Sequence, residues 1–313
     1  MSATADTRCT HCARLGVYPS VTCCCVSQPA REGISFFRSP DVLPGTSPSL
    51  KQQCCPRIGW RYLTTVIALV NLVVFIVELI VGATNFGCAF SHDNQMGGPN
   101  SFCLACMGAK ATGNIHQGAV WRLITPIFLH AGVLHIAGNL WMLLRFGYVL
   151  ETRWGWWRFG LVYLLAGIGA SMWSAVLGFD TISVGASGAI MGIMVADISY
   201  IAYNWQEIPD VKIEAIFITI TVVINFLFGI SQTGIDNWAH FGGLMMGLPL
   251  GLWFVPLVQK RGIERIVRIV AAVWYLGLFL LFSLLLWVGN PGGVYLASGY
   301  CDFPSDVYSA ACN

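Results

Sequence analysis

Long apolar runs alternate with short polar segments along most of this chain, and the runs fall in one length class. Seven of them, roughly 60–81, 132–150, 157–177, 185–203, 213–230, 238–258 and 267–288, each hold about the 20 residues that a helix needs to cross a hydrocarbon layer. Glycines and serines blur the ends of the third, fourth and fifth. The pattern predicts an all-α polytopic membrane protein with seven transmembrane helices. Before the first run, residues 1–58 are polar, rich in Ser, Pro, Thr and Cys, and without helical or strand periodicity; they read as a flexible arm. The first 30 residues lack the apolar core of a secretory signal, so the run 60–81 reads as the first, retained membrane signal. Residues 83–120 form a long loop containing Gly97-Gly98-Pro99, of a length usually functional or disordered. The tail 289–313 opens with Asn290-Pro291-Gly292-Gly293, a stop to the last helix.

Composition agrees with the pattern. Of 313 residues 56% are hydrophobic and 10% charged, where a soluble domain carries about a quarter charged; mean hydropathy is +0.67. The formal charge of +2, without a basic block or base-stacking pattern, argues against a nucleic-acid partner. Charge placement orients the stack. With a cytosolic N-terminus, fifteen of the 17 Lys and Arg fall on cytosolic segments or helix ends, and only Lys110 and Arg122 lie opposite, a clear positive-inside bias. The C-terminus is then extracytosolic. Asp6 and the cysteine clusters argue against a mitochondrial presequence without excluding one, and favour the secretory pathway or the plasma membrane over the mitochondrion.

The twelve cysteines divide by side: Cys9, Cys12, Cys23, Cys24, Cys25, Cys54 and Cys55 in the cytosolic arm, and Cys88, Cys103, Cys106, Cys301 and Cys312 outside. In an oxidising compartment some of the outer five form disulfides, an arrangement that would tie the tail to the first loop, although pairing cannot be read from spacing. Cys103-Leu104-Ala105-Cys106 has redox-motif spacing and reads here as a structural disulfide. Cys9-Thr10-His11-Cys12 with Cys23–Cys25 offers zinc ligands, but its spacings match no known finger. Cys54 and Cys55 beside the first span suit acylation.

Odd helices run outward and even helices inward, so helices two, four and six all begin at the outer face. Helix two carries His135 and Asn139, helix four Ser187 and helix six His240, and at about 1.5 Å per residue all four lie at one depth. Alone, Ser187 reads as a packing residue and His240 as a partner for a neighbouring helix. Together a serine and a histidine are the minimal parts of an activated nucleophile. Gly188 and Gly192 on helix four, and Gly243, Gly247 and Gly251 on helix six, give small faces that let backbones approach closely. His135 and Asn139, spaced i, i+4, are candidate oxyanion donors together with the Ser187 N–H. No carboxylate is placed to orient the base, since Asp197 lies about three turns below Ser187 and Asp180 and Asp236 fall in loops. The pattern is a dyad. Glu78 in helix one calls for a partner, with the first loop as its source. His130 reads as structural, and Asp197 and Asn225 as interhelical hydrogen-bonding groups.

These residues carry a resemblance. Trp121-Arg122, His130 with His135-Ile136-Ala137-Gly138-Asn139, Gly185-Ala186-Ser187-Gly188, and Ala239-His240-Phe241-Gly242-Gly243 with Gly247 resemble the rhomboid intramembrane serine proteases in order and spacing. The resemblance implies a rhomboid-like six-helix catalytic core over 59–258. Beyond it lie a cytosolic loop and seventh helix over 259–288, similar to the eukaryotic secretory branch, and an extracytosolic tail over 289–313. It implies a Ser187 nucleophile, a His240 base, His135 and Asn139 at the oxyanion hole, a loop-ordering role for Trp121-Arg122, single-pass membrane proteins as substrates, and no metal or cofactor. Many active relatives have a tyrosine one turn after the nucleophile, stacked on the histidine; here that position is Met191. The alternative is a catalytically silent rhomboid-like protein that binds membrane clients and directs their trafficking or degradation; such relatives usually lack the serine and histidine. A transporter would need charged groups along a path through the membrane, and the polar groups gather at one face instead.

Overall fold

The computed structural model describes residues 61–208, 210–231, 235–256, 262–289, 293–294, 296 and 301. The N-terminal arm with its zinc and acylation candidates, and Cys312, lie outside the described residues. Among the described residues ten α-helices follow in order: α1 (Leu63–Asn85), α2 (Ser101–Met107), α3 (Thr112–His116), α4 (Val133–Met142), α5 (Tyr148–Trp154), α6 (Trp156–Leu177), α7 (Ser187–Tyr203), α8 (Val211–Ser231), α9 (Asn237–Phe254) and α10 (Glu264–Val288). A π turn at Leu143–Gly147 joins α4 to α5, making one helix over Val133–Trp154. The architecture is all-α.

Each of the seven apolar runs is a helix, but they are not alike. Five are long and apolar enough to cross a membrane: α1, α4–α5, α6, α8 and α10. α7 has 17 residues, about 25 Å at the helical rise, against a hydrocarbon core of about 30 Å; α9 fails on composition. The seven helices expected from the sequence are all present, and the differences between them have a local reason. α7 is short, and the glycines and polar side chains that lower the hydropathy of α9 are the ones it needs, because α7 and α9 pack centrally against α6 and against each other. A Cβ at Gly243 would overlap the Gly188 carbonyl oxygen, and one at Gly247 would overlap the Gly192 backbone. Backbones therefore touch with no side chain between them. α8 is the opposite case, with 17% of its apolar window buried against 61% for α6.

Two polar devices set the frame. The Glu151 carboxylate accepts the main-chain N–H groups of Leu63 and Thr64, each at 2.8 Å, and the Thr64 hydroxyl at 2.7 Å. It thereby caps α1, whose first N–H groups have no partner in their own helix. Arg153 at the end of α5 reaches Asp197 on α7 at 2.8 Å and Glu214 on α8 at 2.7 Å. Asp197 is thus an ion-pair partner rather than a simple hydrogen-bonding group. Asn225 bonds within its own helix, to the Thr221 carbonyl, not between helices.

The first loop is ordered by α2, α3 and an isolated bridge from Lys110 to Ser183. Arg122 Nη1 donates to the carbonyls of Ala105 and Ala109, both at 2.7 Å, while Trp121 is exposed. The start of the tail returns to this loop. Gly113 N–H donates to the Val294 carbonyl, Asn114 and Leu296 exchange two hydrogen bonds, and Cys106 is disulfide-bonded to Cys301. The pairing of Cys103 with Cys106 is therefore corrected. Cys103 turns into the core, free and buried, with Sγ 3.9 Å from the Glu78 carbonyl.

Candidate active site

Ser187 is the first residue of α7, and it follows a turn that only glycine fits. Gly185 has φ of +127°, and a Cβ there would sit 2.7 Å from His135 Cε1 and 2.9 Å from His135 Nε2, so this position needs both the left-handed backbone and the missing side chain. At the start of a helix the first N–H groups, that of Ser187 included, find no acceptor within it. His240 lies in the first turn of α9, whose N-cap is Asp236: its carboxylate accepts the Ala239 N–H at 2.9 Å. Packing of α7 on α9 through the glycines then brings Ser187 Oγ to 2.8 Å from His240 Nε2, within the reach a general base requires.

The other two candidates meet at the same point. Ala131 N–H donates to His135 Nδ1 at 3.2 Å, so Nδ1 is the acceptor and Nε2 carries the proton, on the side facing Gly185. Asn139 Nδ2 is buried without a hydrogen-bond partner in the structure, and it lies 3.7 Å from where a Gly185 Cβ would be. His240 Nδ1 is likewise buried without a partner. No aromatic ring stacks on His240 among the described residues, and Met191 is buried in the main core.

A cavity of about 770 Å³ opens over these groups, lined by Ser187, His240, His135, Asn139, Asn225 and Asp236 and by loop residues from Ser91 to Leu104. Apolar walls come from Leu134, Trp141, Met142 and Phe228. Behind Ser187 a void of about 20 Å³ touches Ser171, Ser183, His135 and Asp236, room for about one water molecule with polar partners. Glu78 finds its partner in the segment entering α4, not in the first loop: its carboxylate accepts the His130 N–H at 3.0 and 3.3 Å. His130 is wholly buried, its ring 5.4 Å from that of His135, and desolvation, reinforced by His135, holds its pKa down to about 3. His130 supports the site from behind and does not line the cavity. Among the described residues no group of three or more His, Cys, Asp and Glu side chains is placed to hold a metal ion.

Gly185 and Asp236 carry more of the geometry than the sequence pattern suggested. The one signal for Asp236 was its type and place, an aspartate two residues before the apolar run 238–258, which is a helix-start signature.

Residues 117–257 match the Rhomboid domain family model. The chain is 38% identical over 171 residues to RHOMBOID-like protein 6, mitochondrial, of Arabidopsis thaliana, covering 54% of this chain and 55% of that one. It is 34% identical over 221 residues to RHOMBOID-like protein 7 of the same plant, covering 66% and 70%. With Rhomboid-like protease 2 of Toxoplasma gondii it shares 32% identity over 221 residues, covering 70% and 74%. The chain spans about half the length of the first of these relatives and more than two thirds of the other two. On these matches and on its apolar helices, the chain belongs to the rhomboid family of integral membrane proteins.

Proposed function

We propose that the chain is an intramembrane serine endopeptidase that cleaves single-pass membrane proteins within or near the outer end of their transmembrane helix. The observation that carries the reading is the 2.8 Å contact between Ser187 Oγ and His240 Nε2, made beside donors with nothing else to bond. In this reading Ser187 Oγ attacks the carbonyl carbon of the scissile peptide and its proton passes to His240 Nε2. The charge that develops on the carbonyl oxygen is met by His135 Nε2–H, Asn139 Nδ2–H and the Ser187 N–H. Collapse breaks the C–N bond as His240 gives its proton to the leaving amine. Water then attacks the acyl-enzyme, losing a proton to His240, and the proton returns to Ser187 Oγ as the new carboxyl end departs. The small void behind Ser187 is a source for that water.

Peptide groups of a helix in lipid are bonded internally and shielded, so a substrate must unwind before its carbonyl reaches Ser187. Segments with Gly, Pro or polar residues near the outer face are therefore preferred, and the cavity has room for a short extended stretch. The N-terminus is taken as cytosolic and the site end as extracytosolic. The Cys106–Cys301 disulfide supports an oxidising compartment, the secretory pathway or plasma membrane, for this chain.

Labelling with a fluorophosphonate in detergent tests the reading. Wild type should label, while Ser187→Ala and His240→Ala should lose labelling by about a thousandfold or more. Equal labelling of all three would sink it and leave the silent, client-binding alternative.

A further inference from the structure

Lys110 and Asp236 are charged side chains tied to the elements that carry the dyad, and the sequence marked one only as a stray outer cation and the other as a loop residue. Lys110 is wholly buried. Its Nζ donates to the carbonyls of Gly178 at 2.6 Å, Thr181 at 2.7 Å and Ser174 at 3.4 Å, closing the end of α6. Burial pushes its pKa down to about 8, with Asp236 and Asp180 acting in the opposite sense. The main chain of Lys110 pairs with Ser183 in both directions, at 2.9 and 3.3 Å, four residues before Ser187. Ser174, whose carbonyl faces Lys110, donates its hydroxyl to Asp236 Oδ2. Asp236 Oδ1 takes the Ala239 N–H, and its main-chain carbonyl takes the His240 N–H at 3.2 Å. One residue in the first loop thus reaches both halves of the site, through backbone to the serine turn and through Ser174 to the start of α9.

We propose that Asp236 is a positioning residue for the Ser187–His240 pair: it fixes the first turn of α9 and holds a negative charge beside the base. The inference rests on the serine-protease reading. Asp236 precedes His240 by one helical turn, and both line the same cavity. It forms no hydrogen bond to the imidazole, whose Nδ1 is buried without a partner. The carboxylate therefore acts through space, favouring the imidazolium that forms as Ser187 gives up its proton. Ser174 keeps the carboxylate from turning outward, and its position at the N-terminus of α9 suits a negative charge.

Asp236→Asn separates the two roles. Asparagine keeps an oxygen for the Ala239 N–H and is an equally good cap, and its amide can donate to Ser174 Oγ; only the charge is lost. Fluorophosphonate labelling over a concentration series separates the maximal rate from the half-saturating probe concentration. Asp236→Asn should lower the maximal rate about tenfold, leaving half-saturation and the unfolding temperature at wild-type values. Ser174→Ala, which frees the carboxylate without removing its charge, should lower it about two- to threefold. Wild-type labelling by Asp236→Asn overturns the inference while the protease reading stands, and so does a lowered unfolding temperature with an unchanged rate per folded molecule. Wild type that does not label overturns both. If Asp236→Asn does not fold, Asp236→Ser, another uncharged cap, decides by the same readout.

Discussion

At the far end of α7, Arg153 gives Nη1 to both oxygens of Asp197 at 2.8 and 2.9 Å and Nη2 to both oxygens of Glu214 at 2.7 and 2.8 Å, with the Tyr200 ring 5.1 Å from its Cζ. At the near end, Asn139 Nδ2 and His240 Nδ1 are buried with no partner, beside a cavity of about 770 Å³. The two clusters share α7 and the continuous α4–α5 helix in one apolar bundle, yet the first pairs both of its carboxylates with Arg153 and the second leaves Asn139 Nδ2 and His240 Nδ1 without partners. A buried polar group without a partner costs about 1–3 kcal/mol, so a fold keeps such groups where something else will bond them. The paired cluster holds helices together; in the serine-protease reading the underpaired one finds its partner in the substrate.

Removing one member of each cluster gives opposite outcomes if the contrast is sound. Arg153→Ala strands two buried carboxylates and should cost about 3–5 kcal/mol of stability, read by unfolding in detergent, with fluorophosphonate labelling per folded molecule unchanged. Asn139→Ala should leave stability within about 1 kcal/mol and slow turnover of a transmembrane substrate about 10²–10³-fold, or roughly 3–4 kcal/mol of barrier. An Asn139→Ala protein that unfolds like Arg153→Ala would erase the distinction.

The glycine contacts sharpen it further. Gly243→Ala drives a methyl into the Gly188 carbonyl and should cost about 1–3 kcal/mol. Labelling should slow as well, because the Ser187–His240 contact crosses that interface. Gly277→Ala on α10 meets nothing within 4 Å and should stabilise by up to about 1 kcal/mol. A pH-dependent effect lies behind the site. His130 has a folded-state pKa of about 3, below the unfolded value of about 6.5, so the folded state binds fewer protons between those limits. Its contribution is whole above about pH 6.5 and is lost as pH falls toward 3, at no more than about 1.4 kcal/mol per pH unit. In His130→Gln the fall of unfolding temperature between pH 6 and pH 4 should be shallower than in wild type.

The helices and their order were legible because lipid imposes one length on every span, and that length set Ser187, His240, His135 and Asn139 at a common depth before any contact was known. Loop geometry was not legible. Lys110 bonds to three main-chain carbonyls and Glu78 to a main-chain N–H, partners that leave no trace in residue type. Arg153, Asp197 and Glu214 come from three helices and look unrelated until those helices pack. Cys103 and Cys106 have the spacing of a pair, but three residues on a helix turned one sulfur into the core and the other toward Cys301. Hydropathy also undersold α9, since averaging over a window penalises the small and polar residues that let a helix occupy the centre of a bundle, whereas α7 falls short by length alone.

The bond between Cys106 and Cys301 has an arithmetic of its own. Two sulfurs joined to each other lie on one side of the bilayer, so the chain between them must cross it an even number of times. The long apolar helices in that interval are α4–α5, α6, α8 and α10, already an even set. Parity then binds the two remaining helices to a common fate: α7 and α9, the bearers of Ser187 and His240, both traverse the membrane or neither does.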